Sequence, residues 1–73
     1  MARFFAPDLP EGGEIFLAGD EAHHMVRVRR QKPGDVVVLF DGRGRWAEAR
    51  IERFEKAGVT IRILHTHVET PEA

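Results

Sequence analysis

His23, His24, Arg27, Arg29, Arg30 and Lys32 crowd into one short segment, and Arg43 and Arg45 follow shortly after, beside Asp41-Gly42. Guanidinium and ammonium groups in such density are suited to holding phosphate oxygens, the contacts that give a protein its grip on RNA or DNA. On a helix, His23, Arg27 and Arg30 recur at i, i+4 and i+7, so one stripe could meet successive phosphates of a strand. The competing reading is a solvated helix face with no ligand. Arg43 and Arg45 favour the binding reading only if the fold brings their loop beside the helix.

Other chemistries find less support. The chain has no cysteine and no serine, and Thr60, Thr66 and Thr70 have no base positioned beside them, so nucleophilic catalysis is not expected. His65 and His67 project to one side of a strand and would suit two zinc ligands. His23 and His24 point apart on a helix, however, and no acidic third ligand has matching spacing, so no metal site is expected. One of the two helix histidines could equally be buried and hydrogen-bonded. No phosphate-cradling glycine motif or cofactor fingerprint occurs, and no catalytic residue is assigned.

Net charge is −1, which at first argues against a polyanion partner. Its distribution argues otherwise. Residues 1 to 22 set Arg3 against Asp8, Glu11, Glu14, Asp20 and Glu21, a balance of −4. Residues 23 to 50 set Arg27, Arg29, Arg30, Lys32, Arg43, Arg45 and Arg50 against Asp35, Asp41 and Glu48, a balance of +4. A basic middle between acidic ends predicts one oriented surface that the total conceals.

The elements that must position these groups are short. A chain of 73 residues makes one domain and buries only roughly 60% of its unfolded surface, leaving little room for an enclosed active site. No run approaches the ~20 apolar residues of a membrane span, Met1 to Leu9 is too short for a signal peptide, and without cysteine a cytoplasmic setting is the simplest expectation. Turn residues at Pro7, Pro10 to Gly13, Gly19-Asp20, Lys32 to Asp35, Asp41 to Gly44 and Lys56 to Gly58 separate five predicted strands. These are Arg3 to Ala6, Glu14 to Leu17, Val36 to Phe40, Arg45 to Phe54 and Val59 to His67. With one helix they predict a mainly β domain, a small barrel.

Ala47, Ala49 and Ile51 alternate with Glu48, Arg50 and Glu52, and Val59, Ile61 and Ile63 alternate with Thr60 and Arg62, so each of these strands has one dry face. Val36 to Phe40 is apolar on both faces and is expected to lie centrally. Asp41-Gly42-Arg43-Gly44 predicts an antiparallel hairpin joining it to Arg45 to Phe54. Asp20 is expected to cap the helix, and Ala22, Met25 and Val26 form its apolar stripe. Phe5, Phe16 and Phe40 are expected in the core, while Phe4 and Trp46, flanking Arg3 and Arg45, stay open as platforms for unpaired bases.

Arg3-Phe4-Phe5, Glu21-Ala22-His23-His24-Met25, Arg27-Val28-Arg29-Arg30, Lys32-Pro33-Gly34-Asp35 and Leu39-Phe40-Asp41-Gly42 occur in order. Together this set resembles the N-terminal region of the ribosomal RNA small subunit methyltransferase E family, the 16S rRNA uridine N3-methyltransferases. The resemblance runs from about Arg3 to Ile63. It implies a PUA-like β-barrel over residues 1 to 68 that binds 16S rRNA or the small ribosomal subunit. Residues 69 to 73 would begin a linker to a SPOUT methyltransferase domain. In the family that second domain binds S-adenosylmethionine (SAM), carries the chemistry and forms the homodimer; this chain itself would hold no cofactor. Arg3, His24, Arg27 and Arg30 fall on the family's motif. Arg29 stands where the family usually has leucine, which raises a question about how the helix end packs.

Two further classes compete with this expectation. A stand-alone β-barrel could bind a protein partner through its strand edges and helix surface, with the charge merely keeping it soluble. A small catalyst or metal protein acting alone is the other, opposed by the missing nucleophiles and ligands.

Overall fold

Alternating apolar residues decide which strand faces turn inward. In the structure, a computed structural model describing residues 2–69, the strands are β1 (Arg3–Phe5), β2 (Glu14–Ala18), β3 (Val36–Phe40), β4 (Arg45–Glu55) and β5 (Gly58–Val68). They form one five-stranded half-barrel sheet in the order β1-β3-β4-β5-β2. All pairs are antiparallel except β1 with β3, which is parallel and is reached through β2 and the helical segment. The fold is the small mainly β barrel type expected from the sequence. Of the expected linker start at 69–73, only Glu69 lies within the described residues.

Phe4, Val37, Leu39, Ala47, Ala49, Ile51, Val59 and Ile61 line the inner face and are almost fully buried. Each large aliphatic or aromatic side chain so placed contributes about 1.5–3 kcal/mol. The predicted β3–β4 hairpin is present, with Val37 opposite Ala49 and Leu39 opposite Ala47. Gly42 and Gly44 take positive φ in its loop, the conformation that makes glycine necessary there. β3 is an inner strand, but the middle position belongs to β4, because β5 and β2 both add on the far side. Only one face of β3 is sealed, and Val36 remains exposed.

The helical segment departs from expectation. α1 covers only Gly19–His23, and His24–Val28 continues as a π-helical turn in which the Arg29 N–H reaches back to the His24 carbonyl at 2.9 Å. Ala18, not Asp20, occupies the cap position, and no side chain caps the helix; Asp20 sits in the first turn, where its charge suits the dipole. The apolar stripe is as predicted: Ala22 and Met25 are buried and Val26 packs against the core. Thus Met25, not the residue at position 29, secures the end of the helix.

β4 and β5 slip register between Glu48 and Ala49 and again between Ile51 and Arg53, leaving Leu64 and Glu52 without direct partners. Such bulges bend and twist a long hairpin. The first has a chemical consequence. Strict alternation from Ile61 and Ile63 would send His65 and His67 inward, but the shift places them opposite Glu48 and Trp46 on the outer face.

Candidate nucleic-acid interface

The predicted basic residues collect at two places. The first is the end of the helical segment. Arg27, Arg29, Arg30 and Lys32 are all exposed, and among the described residues none of them takes part in an ion pair. Arg50, Arg53 and Arg62 differ, since they pair with Glu52, Glu55 and Glu14 at 3.3, 2.8 and 2.9 Å. A turn anchors the segment: the Lys32 N–H donates to Asp35 Oδ2 at 2.9 Å, the Asp35 N–H to the Lys32 carbonyl at 3.0 Å, and the Gly34 N–H to Ile51 of β4 at 2.7 Å. Arg29, Arg30 and Lys32 therefore follow the π-helical turn on a tethered loop, with Arg27 on the turn just before them.

The expected stripe of His23, Arg27 and Arg30 does not survive intact, because the π turn breaks the 3.6-residue period on which it relied. His23 and Arg27 stay together, lining a hollow shared with Phe54, Lys56 and Gly58 at the β4–β5 turn. Arg30 lies beyond the helix with φ of 55°. The sequence offered no spacing signal for Lys56, which joins the group through tertiary contact. His24 is exposed and turns its ring edge-on to Phe4, with centroids 5.8 Å apart.

Arg3, Arg43 and Arg45 form the second group, around the β3–β4 hairpin. Asp41 Oδ1 accepts the backbone N–H groups of Arg43 at 2.7 Å and Arg45 at 3.0 Å, closing the loop as its sequence suggests. The Arg43 N–H hydrogen bond is the main influence holding the Asp41 carboxyl below its ordinary pKa; desolvation opposes it, while the Arg45 N–H and both arginine charges assist. Outward from the loop, the Arg43 guanidinium donates to the Pro7 carbonyl at 2.9 Å and Arg45 Nη1 to the Leu9 carbonyl at 3.1 Å. These arginines pin the segment after β1 while keeping their positive charge. Arg45 Nη2 is covered and has no hydrogen-bond partner among the described residues.

Arg3 is exposed on β1 with its guanidinium carbon 5.3 Å from the centre of the Phe40 ring, a cation–π contact. The aromatics reverse the sequence expectation. Phe4 is completely buried, which removes it as a platform, whereas Phe5 and Phe16 are exposed and Phe40 is only half-buried. Period-two alternation in Arg3–Phe5 and Val36–Phe40 carries this signal, because Phe4 and Leu39 take the inner face and force Phe5 and Phe40 outward. Trp46 is half-buried on the outer face, stacked on His67 with centroids 4.1 Å apart.

Residues 17–64 match the family described as "RNA methyltransferase PUA domain". A ribosomal RNA small subunit methyltransferase E from Mycobacterium bovis is 39% identical over 62 residues, covering 84% of this chain and 24% of the relative. The chain therefore spans about a quarter of the length of the curated relatives it matches. Among solved structures, a ribosomal RNA small subunit methyltransferase E from Neisseria gonorrhoeae bound to S-adenosyl methionine superposes with a TM-score of 0.78 at 34% identity, covering 92% of this chain and 28% of that one. A protein of Legionella pneumophila described as a methyltransferase, solved with SAM, gives a TM-score of 0.84 at 28% identity, covering 96% of this chain and 29% of that one. The order of the motifs, the half-barrel and the matched residues agree, and the chain belongs to the RNA methyltransferase PUA domain family.

Proposed function

We propose that this domain binds 16S rRNA of the small ribosomal subunit and positions it for a SPOUT domain that methylates N3 of a uridine. The observation that supports this best is that Arg27, Arg29, Arg30 and Lys32, close in sequence at the end of the helical segment, are exposed and form no ion pair among the described residues, while the other arginines are mostly neutralised or tied to carbonyls. Phosphate contacts of this kind fix register and orientation. In the parent enzyme, a cytoplasmic homodimer, catalysis would belong to the second domain, and this one would contribute by holding the target in place.

We assign no residue of this chain to SAM. That cofactor carries a sulfonium cation, and each hollow has one carboxylate outnumbered by cations: Glu55 against Arg27 and Lys56 in one, Glu69 against Arg3 and Arg45 in the other. In this reading SAM belongs to the second domain of the parent enzyme.

Titration with an rRNA fragment at several salt concentrations tests the reading. Three or four phosphate contacts predict a slope of log K against log salt of about −2 to −4, with Kd of about 10⁻⁴ to 10⁻⁶ M. Replacing Arg27 and Arg30 by alanine flattens the slope by roughly 0.7 to 0.9 for each phosphate no longer neutralised. A folded double variant with unchanged affinity and slope would remove the helix end from the interface. Absence of RNA affinity at any salt would instead favour a protein-interaction module.

A further inference from the structure

Phe5, Phe40, Trp46 and His67 are consecutive partners across β1, β3, β4 and β5. At the ordinary strand spacing of 4.7–4.9 Å they make a row about 14 Å long on the face opposite the core. Phe5 and Phe40 lie with centroids 5.7 Å apart and Trp46 stacks on His67. Next to the row is a hollow of about 240 Å³ lined by Arg3, Phe40, Gly42, Arg45 and Trp46, with Glu69 at its rim. Leaving an aromatic row outside a core this small forgoes burial energy.

We propose that this row is a second RNA contact, on which an unpaired base stacks against Phe5, Phe40 or Trp46 while its phosphate meets Arg3 and Arg45. The inference rests on the RNA-binding reading above but uses a different surface from the helix end. Charge favours this occupant. Among the residues lining the hollow, Arg3 and Arg45 face a single carboxylate, Glu69. Every nucleobase has a π-face, so the contact would tolerate many sequences while requiring unpaired RNA.

Trp46 is the sole tryptophan, so its emission reports on the row directly. The 73-residue chain is titrated with a short oligouridylate and with an abasic ribose-phosphate oligomer of equal length and charge. The expected result is quenching of Trp46 by oligouridylate and none by the abasic strand. Phe5→Ala weakens oligouridylate binding about five-fold or more and leaves the abasic affinity unchanged. Phe5→Leu keeps apolar contact with Phe40 and Gly42 without a ring, and gives the same loss should the alanine variant misfold. Equal binding of both strands without quenching would overturn the inference and leave the helix-end reading standing. Binding of neither would sink both. A shift in Trp46 emission that depends on chain concentration alone, without RNA, would assign the face to a protein contact and also overturn it.

Discussion

Asp41 and Arg43 close the β3–β4 loop through one hydrogen bond, from the Arg43 N–H to Asp41 Oδ1 at 2.7 Å. That bond, ahead of desolvation and the help from Arg45, lowers the Asp41 pKa on folding. A depressed carboxyl stabilises the fold fully above its unfolded value, about 3.9, and loses that contribution as pH falls through the folded value. Glu55 acts in the same direction, its pKa lowered first by the Thr60 hydroxyl and then by Arg53. Asp41→Ala is expected to lower the urea midpoint at pH 7, and the gap from the parent chain to narrow as the pH is taken below about 4. Asp41→Asn, which keeps an acceptor oxygen, loses less. Urea titrations at several pH values check both; a gap independent of pH would contradict the assignment.

Gly58 opens β5 where β2 crosses closest. A Cβ there would lie 2.2 Å from the Leu17 carbonyl oxygen and 2.9 Å from the Phe16 ring. The ring could swing away, but the carbonyl belongs to the β2–β5 ladder and could not move without breaking it. Gly58→Ala is therefore expected to cost about 3 kcal/mol, the upper part of the range for overpacking. Gly12→Ala is the control, since nothing lies within 4 Å of its Cβ position and its φ is not positive. Chemical denaturation of the two variants should separate them clearly.

The strands were legible because β order here is written locally. Alternation in Ala47–Ile51 and Val59–Ile63 and the glycines of the hairpin loop fix faces and turns within a few residues of each other. The π turn was not, because no residue between His24 and Val28 marks an inserted position as proline or glycine would. The outward placement of His65 and His67 depends on a bulge that exists only in the pairing of β5 with β4. The bonds from Arg43 to Pro7 and from Arg45 to Leu9 likewise join residues 36 positions apart. Local patterns could not reveal that these two arginines are partly structural.

Met25 is wholly buried and carries the helical segment on the sheet. Met25→Ala should cost about 2–5 kcal/mol. Small domains hold only about 5–15 kcal/mol in all, so this is a large share. Because the same residue holds the loop bearing Arg29, Arg30 and Lys32, partial undocking is expected to weaken RNA binding without touching a phosphate contact. Hydrogen exchange of the Arg29 and Gln31 amides, bonded to His24 and Met25, should accelerate in step with the weakened binding.

Arg30 separates stability from binding at a single position. Its φ of 55° lies in the left-handed region, the only such case among the described non-glycine residues. An L-residue there costs about 1–2 kcal/mol, which glycine avoids while losing some entropy on folding. Arg30→Gly is therefore expected to stabilise the domain by about 0.5–1 kcal/mol while removing one cation from the helix end. Thermal melts and RNA titrations on the same protein should move in opposite directions: a higher Tm, weaker binding and a salt slope flatter by roughly 0.7 to 0.9. Arg30→Lys keeps the charge and the strain, so it should leave both readings near the parent values. If Arg30→Gly raises Tm with no change in slope, the residue is a strained turn position with no phosphate partner, and the interface contracts to Arg27, Arg29 and Lys32.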